Sequence, residues 1–119
     1  MSKETDATPR SPASPGSALL EVCAEVDRAT VKFPTWPTDA LHAVGVVAEE
    51  MGELQKEVMQ LTYEPHKSTR ETVRKEAVQL AAMSLRFLMS LDRYEYAPRP
   101  QHSQQSPNAT GSATTGGQP

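Results

Sequence analysis

The chain has 119 residues, with 12 Lys and Arg against 15 Asp and Glu and a formal net charge of −3 at pH 7. With no basic patch interleaved with aromatics, a nucleic-acid polymer is not expected as a partner, and no apolar run approaches the roughly 18 residues of a membrane span. The single cysteine, Cys23, excludes an intramolecular disulfide and suits a reducing compartment.

Residues 1–17 carry Pro9, Pro12 and Pro15 among Ser, Thr and Ala, and residues 98–119 are mostly Pro, Gln, Ser, Thr, Gly and Asn, with nothing more apolar than Ala. Neither stretch can bury enough apolar surface to offset its ordering entropy. Both are expected to be disordered tails around one domain at 18–97. The polar N-terminus lacks the apolar stretch of a secretory signal, so a cytoplasmic protein is expected. A domain this small has a thin core, for which oligomerisation is a common remedy.

The periodicity predicts an all-α fold of three helices. The first spans about Ala18 to Lys32 with Ser17 as N-cap, and Leu19, Val22, Cys23, Val26, Ala29 and Phe33 form its apolar stripe. Cys23 on that stripe reads as core. Pro34 and Pro37 then break the helix. Between them stands Trp36, the only tryptophan, which either caps the core or offers a surface on which a base could stack.

The second helix spans about Thr38 to Leu61. Leu41, Val44, Val47, Met51, Leu54 and Val58 belong to its broad apolar face, with Glu50 at the edge and Glu53 and Glu57 further round. His42 and Glu49 lie on the opposite side; a protonated His42 could bind a phosphate. After a loop at 63–67, Ser68-Thr69-Arg70-Glu71 reads as a capping box that opens a third helix running to about Leu91. From Ala77 onward this helix is apolar almost all round, with Met83 and Phe87 on the side of Glu76 and Gln79. A helix apolar on two sides must be covered on two sides, which points to a partner subunit. Met51, Met59, Met83 and Met89 read as core or interface.

The informative spacing is that of the carboxylates. Glu50 and Glu53 are three apart and share a helix face, and Glu76 and Gln79 repeat the spacing on the next helix. Packed antiparallel, the two helices would aim three carboxylates and one carboxamide into one cleft. Such oxygen donors suit a hard divalent cation such as Mg²⁺, which keeps waters for a phosphate substrate. Glu49, Glu50, Glu53 and Glu57 also crowd four like charges onto one helix, at a cost of a few tenths of a kcal/mol per pair unless a cation relieves it. For any one of these glutamates taken alone, the plainer reading is a solvated helix face.

Glu49-Glu50-x-x-Glu53 followed by Glu76-x-x-Gln79 resembles the EExxE…ExxD pattern of the MazG-like, all-alpha nucleoside triphosphate pyrophosphohydrolases, over about Ala40 to Leu91. The resemblance implies a helical bundle assembled as a homodimer or homotetramer, of a kind found in bacteria and bacteriophages. It implies Mg²⁺-dependent hydrolysis of a nucleoside triphosphate to the monophosphate and pyrophosphate, with Mn²⁺ as a second usable ion. Carried over, Glu50, Glu53 and Glu76 are metal ligands, Gln79 stands at the family's aspartate, and Glu49 positions or deprotonates the attacking water. Lys56, Lys67, Arg70 and Arg74 are candidates for holding the triphosphate, and each also reads as an ordinary surface cation.

Gln79 departs from the pattern: a neutral amide oxygen is a weaker ligand for a hard cation. A chain that keeps the cleft but hydrolyses slowly would bind and sequester a nucleotide instead, signalling nucleotides included. A purely structural helical assembly would explain the apolar third helix but not the acidic clustering on the second.

Overall fold

The computed structural model describes residues 10–96, so residues 1–9 of the expected tail at 1–17 and the whole of the expected tail at 98–119 lie outside the described residues; residues 15–17, expected to be disordered, instead form the first turn of a helix capped by Ser14. The described chain is all-helical: α1 (Pro15–Lys32), α2 (Ala40–Tyr63) and α3 (Arg70–Met89), with single 3₁₀ turns at Pro65–Lys67 and Leu91–Arg93. Its one extended pairing is an isolated parallel bridge between Asp39 and Glu95.

The helices start where local chemistry satisfies their first N–H groups. α1 begins three residues before the expected start: Ser14, rather than Ser17, caps it by accepting from the Ser17 N–H at 3.1 Å, and Pro15 occupies the first turn. Proline loses nothing there, because that N–H has no partner inside the helix. Asp39 caps α2 by accepting from the Leu41 N–H at 2.9 Å. The box opening α3 is formed by Thr69 and Thr72, not by the expected Ser68 and Glu71. Each threonine hydroxyl accepts from the other's backbone N–H at 3.0 Å. Ser68 is withdrawn from capping because its buried hydroxyl is committed to Glu57 across the α2–α3 turn, at 2.6 Å.

α3 is the central helix. It packs along α2 and, less extensively, against α1. Glu57 meets Ser68 near the turn, while Ala40 and Ala43 meet Phe87 and Tyr94 at the other end, so α2 and α3 are antiparallel. The stripe that α2 turns inward is Ala40, Ala43, Val47, Leu54 and Leu61, with Glu50 and Glu57 on the same line. Small residues let the helices approach: Ala43 and Ala82 are 0% exposed. Val26, Ala29, Ala82 and Met83 form one core cluster where α1 crosses α3.

That core is narrower than the apolar patterning predicts. Cys23 is exposed instead of buried. Leu19 on α1, Phe33 just past its end, and Leu41, Val44, Met51 and Val58 on α2 are also exposed. Of the methionines, Met83 is buried while Met51, Met59 and Met89 are exposed. The physical reason is geometric, since one neighbouring helix covers one stripe and the apolar face of α2 is wider than that. Among the described residues no helix is long and apolar enough to cross a membrane.

Candidate functional site

The 33–39 connection and the segment after α3 meet at one end of the bundle. Tyr94 is buried there, and its hydroxyl accepts from the Trp36 indole N–H at 2.6 Å and donates to the Phe87 carbonyl at 3.1 Å. The Glu95 N–H donates to the Thr38 carbonyl at 3.0 Å, holding the returning chain beside the start of α2. These bonds place Trp36 against both core clusters, as a cap would be. They also leave it on the wall of a cavity of about 420 Å³, shared with Pro37, His42, Glu49, Glu50, Met83 and Arg86. The packing is that of the expected cap, and it leaves Trp36 lining the cavity as well.

Glu50 is the pivotal carboxylate of this cavity. It lies half-buried on the α3-facing stripe of α2. Burial pushes its carboxyl above the ordinary 4.5, and the charges of Glu76, Glu53, Glu49 and Glu25 push it further the same way. Four carboxylates from three helices thus act on one. Antiparallel packing brings Glu76 of α3 into that field, as the spacing predicts, and α1 adds Glu25, which sequence alone does not place there. Glu53 is exposed beside Glu50, and Gln79 is half-buried without a hydrogen-bond partner among the described residues.

Among the described residues no three His, Cys, Asp or Glu side chains converge tightly enough to enclose a metal ion. The donor chemistry nevertheless fits a hard cation. The groups are all oxygen donors, and Mg²⁺ binds through one or two carboxylates while retaining waters. A cation is also what the carboxylates acting on Glu50 favour electrostatically, although Glu25 already pairs with Arg28 at 2.6 Å.

The cations expected to hold a triphosphate are placed elsewhere. The Lys67 ammonium pairs with Glu64 at 2.6 Å. Arg74 forms a two-pronged pair with Glu21 that ties α3 to α1, its Nε donating at 2.9 Å, and this bond raises the guanidinium's pKa further. Lys56 lines a shallow groove with Gly52, Gln55 and Met59, and Arg70 one with Leu61 and Val73. His42 is exposed at the cavity rim.

Sequence reasoning missed Arg86. It is 7% exposed, and its guanidinium lies 4.9 Å from the centre of the Trp36 ring. A signal was available: Arg86 is the only charged residue between Ala77 and Leu91. A charge within an apolar helical run is costly to bury unless something answers it. No protein-family model, curated protein or solved structure matches this chain.

Proposed function

We propose that the chain is a Mg²⁺-dependent nucleoside triphosphate pyrophosphohydrolase of MazG-like type. The observation that carries this reading is Glu50: a half-buried carboxylate surrounded by like charges from three helices, on the wall of a cavity roofed by an aromatic ring. Glu50, Glu53 and Glu76 are the carboxylates that would share the metal, one or two of them binding it directly and the rest through retained waters, with Gln79 as a weak additional oxygen. Bound Mg²⁺ supplies charge neutralisation for the phosphate oxygens and for the leaving pyrophosphate. Glu49, exposed at the same cavity, orients water for in-line attack on the α-phosphorus and takes its proton. The water oxygen bonds to that phosphorus as the α–β bridging bond breaks, leaving monophosphate and pyrophosphate. Trp36 offers the base an aromatic surface.

A second copy of the chain completes the bundle. By helical register, Val44, Met51 and Val58 of α2 and Leu88 of α3 lie on the flank of the helix pair away from α1, and all four are exposed. The α2 residues recur every seven from 44, a coiled-coil seam without its partner. A homodimer or homotetramer formed through this flank leaves the carboxylate cavity on the opposite side open to ligand.

Gln79 favours a second reading, in which the cleft binds a nucleotide and turns it over too slowly to count as an enzyme. One experiment separates the two. Pyrophosphate release is measured over a panel of canonical and modified nucleoside triphosphates with Mg²⁺ or Mn²⁺, for wild type, Glu53→Ala and Gln79→Asp. Turnover lost in Glu53→Ala and raised in Gln79→Asp supports the hydrolase. Tight binding without release supports sequestration. Neither binding nor release from a folded wild type defeats both.

A further inference from the structure

We propose that Arg86 is the anchor for the β- and γ-phosphates of the bound nucleotide; this rests on the nucleotide reading above. Arg86 is more than nine-tenths buried and has no carboxylate within salt-bridge distance among the described residues. What holds it is neutral. Its Nη2 donates to the carbonyls of Phe33 at 2.8 Å and Thr35 at 3.5 Å, and the Trp36 ring covers one face of the guanidinium. A buried charge answered only by dipoles is costly until a counter-charge reaches it. On the wall of the cavity that carries Glu49 and Glu50, Arg86 is the one lysine or arginine among the described residues. The cations that charge alone offered for the triphosphate line other surfaces, and two of them are already paired.

The chemistry of the guanidinium points to an anion and not to a base. The common bases are neutral near pH 7, so a base would accept a hydrogen bond and leave the buried charge unanswered; a phosphate oxygen answers both. The donors of a guanidinium lie in its plane, so Trp36, seated on the face, leaves them clear. Nε and Nη1 find no acceptor among the described residues, and they point to opposite sides of that plane. They cannot grip one flat edge together, but attraction to an anion needs only the charge and a single donor.

Position agrees. Helical side chains lean toward their own N-terminus. Because α2 and α3 are antiparallel, Glu50 leans toward the end of the bundle where Arg86 is rooted, and Arg86 leans back toward Glu50. The two share one cavity without meeting as an ion pair. A phosphate chain bound to a cation at Glu50 and running on to Arg86 fills that interval. Mg²⁺ neutralises only part of a triphosphate's charge, and Arg86 supplies one of the missing positive charges. In the hydrolase reading the same contact stabilises the leaving pyrophosphate. Trp36 keeps its other face for the base.

The test is equilibrium binding to the full chain, by calorimetry with Mg²⁺, of the α,β-methylene triphosphates of adenosine, guanosine, cytidine and uridine, whose bridging carbon resists cleavage, and of the four monophosphates. Inorganic tripolyphosphate is the probe without a nucleoside. Wild type, Arg86→Lys and Arg86→Met are compared, with thermal midpoints recorded. Arg86→Met should weaken the best-bound triphosphate and tripolyphosphate alike by about tenfold or more, the span of a lost charge-assisted hydrogen bond, and leave the matching monophosphate within about twofold. Arg86→Lys keeps the charge and should recover part of the loss. An arginine that only ties α3 to the 33–37 loop would lower the thermal midpoint and leave the ratio of triphosphate to monophosphate affinity unchanged, which overturns the assignment. An arginine at the nucleoside end would leave tripolyphosphate binding unchanged, which overturns it as well. If neither variant folds, the Arg86 Nε–H resonance of wild type decides: tripolyphosphate with Mg²⁺ should shift it, and no shift refutes the contact. Triphosphate binding indifferent to Arg86→Met defeats this proposal alone; a wild type that binds no nucleotide defeats the nucleotide reading with it.

Discussion

Glu50 and Glu57 are the same residue type, seven apart on one stripe of one helix, and the fold treats them in opposite ways. Glu57 accepts from the Ser68 hydroxyl at 2.6 Å, and its carboxyl is held below the ordinary value, first by Ser68, then by Thr72, with Lys56 helping. Among the described residues Glu50 receives no such donor, and burial and four neighbouring carboxylates raise it. One carboxylate is finished by the protein and fastens the α2–α3 turn. The other is left in need of a positive charge. An acidic helix face therefore divides, on packing, into groups that serve the fold and a group available to a ligand.

The largest effect that would break this contrast is on turnover. Glu50→Gln should reduce Mg²⁺-dependent pyrophosphate release by about 100-fold or more, since even groups that only support a metal ligand are worth 10–100-fold. Its thermal midpoint should hold or rise, because each like-charge contact removed returns a few tenths of a kcal/mol. Ser68→Ala should do the reverse, keeping turnover per folded molecule but costing about 1–2 kcal/mol in denaturant unfolding by removing a buried hydroxyl shared between Glu57 and Thr72. A variant set in which both substitutions damage only stability would erase the distinction.

Next in size is assembly and ion binding. Met51→Lys with Val58→Lys should shift the mass measured by light scattering to that of one chain, by placing two charges in the exposed seam. Gln79→Asp should tighten Mg²⁺ binding by about tenfold, read by calorimetry, because an added carboxylate raises the ligand charge. An unchanged affinity would place position 79 outside the cation's reach.

The smallest effect is on pH dependence, and its sign differs at the two sites. The raised Glu50 carboxyl binds its proton more readily in the folded state than in the unfolded one. Its ionisation therefore subtracts stability as pH rises from about 4.5 through its raised pKa, and the penalty is fully present above that. The lowered Glu57 carboxyl contributes stability that is present above 4.5 and lost as pH falls through its depressed pKa. Thermal midpoints from pH 3 to 8 should show Glu50→Gln gaining on wild type as pH rises and Glu57→Gln losing ground. Saturating Mg²⁺ should remove the first difference and leave the second. Parallel curves for the two variants would contradict the division.

Much of this was legible before any coordinates. Three helices, the break at Pro34 and Pro37, and the shared face of Glu50 and Glu53 all follow from periodicity and from proline's missing donor, which act within a few residues. Antiparallel packing of two helices joined by a short turn brings Glu76 opposite Glu50 with little freedom to do otherwise. The errors arose where a side chain had to choose among partners. Charge alone left Lys67 and Arg74 open between phosphate ligands and ordinary surface cations, and the structure pairs them with Glu64 and Glu21, the latter 53 residues away. Ser68 read as a cap until Glu57 offered its hydroxyl a charged acceptor.

The sequence by itself determined which segments are helical and which face of each carries charge, because those properties depend on neighbours one to four residues apart. Only the tertiary structure decided that Cys23 is exposed, that Glu50 and Glu57 have opposite environments, and that Arg86 is buried against Trp36 with no carboxylate partner among the described residues. These outcomes depend on which stripe of each helix a neighbour covers. With one flank of α3 given to α1 and another to α2, a charged side chain between them is buried by position, whatever its own preference for water.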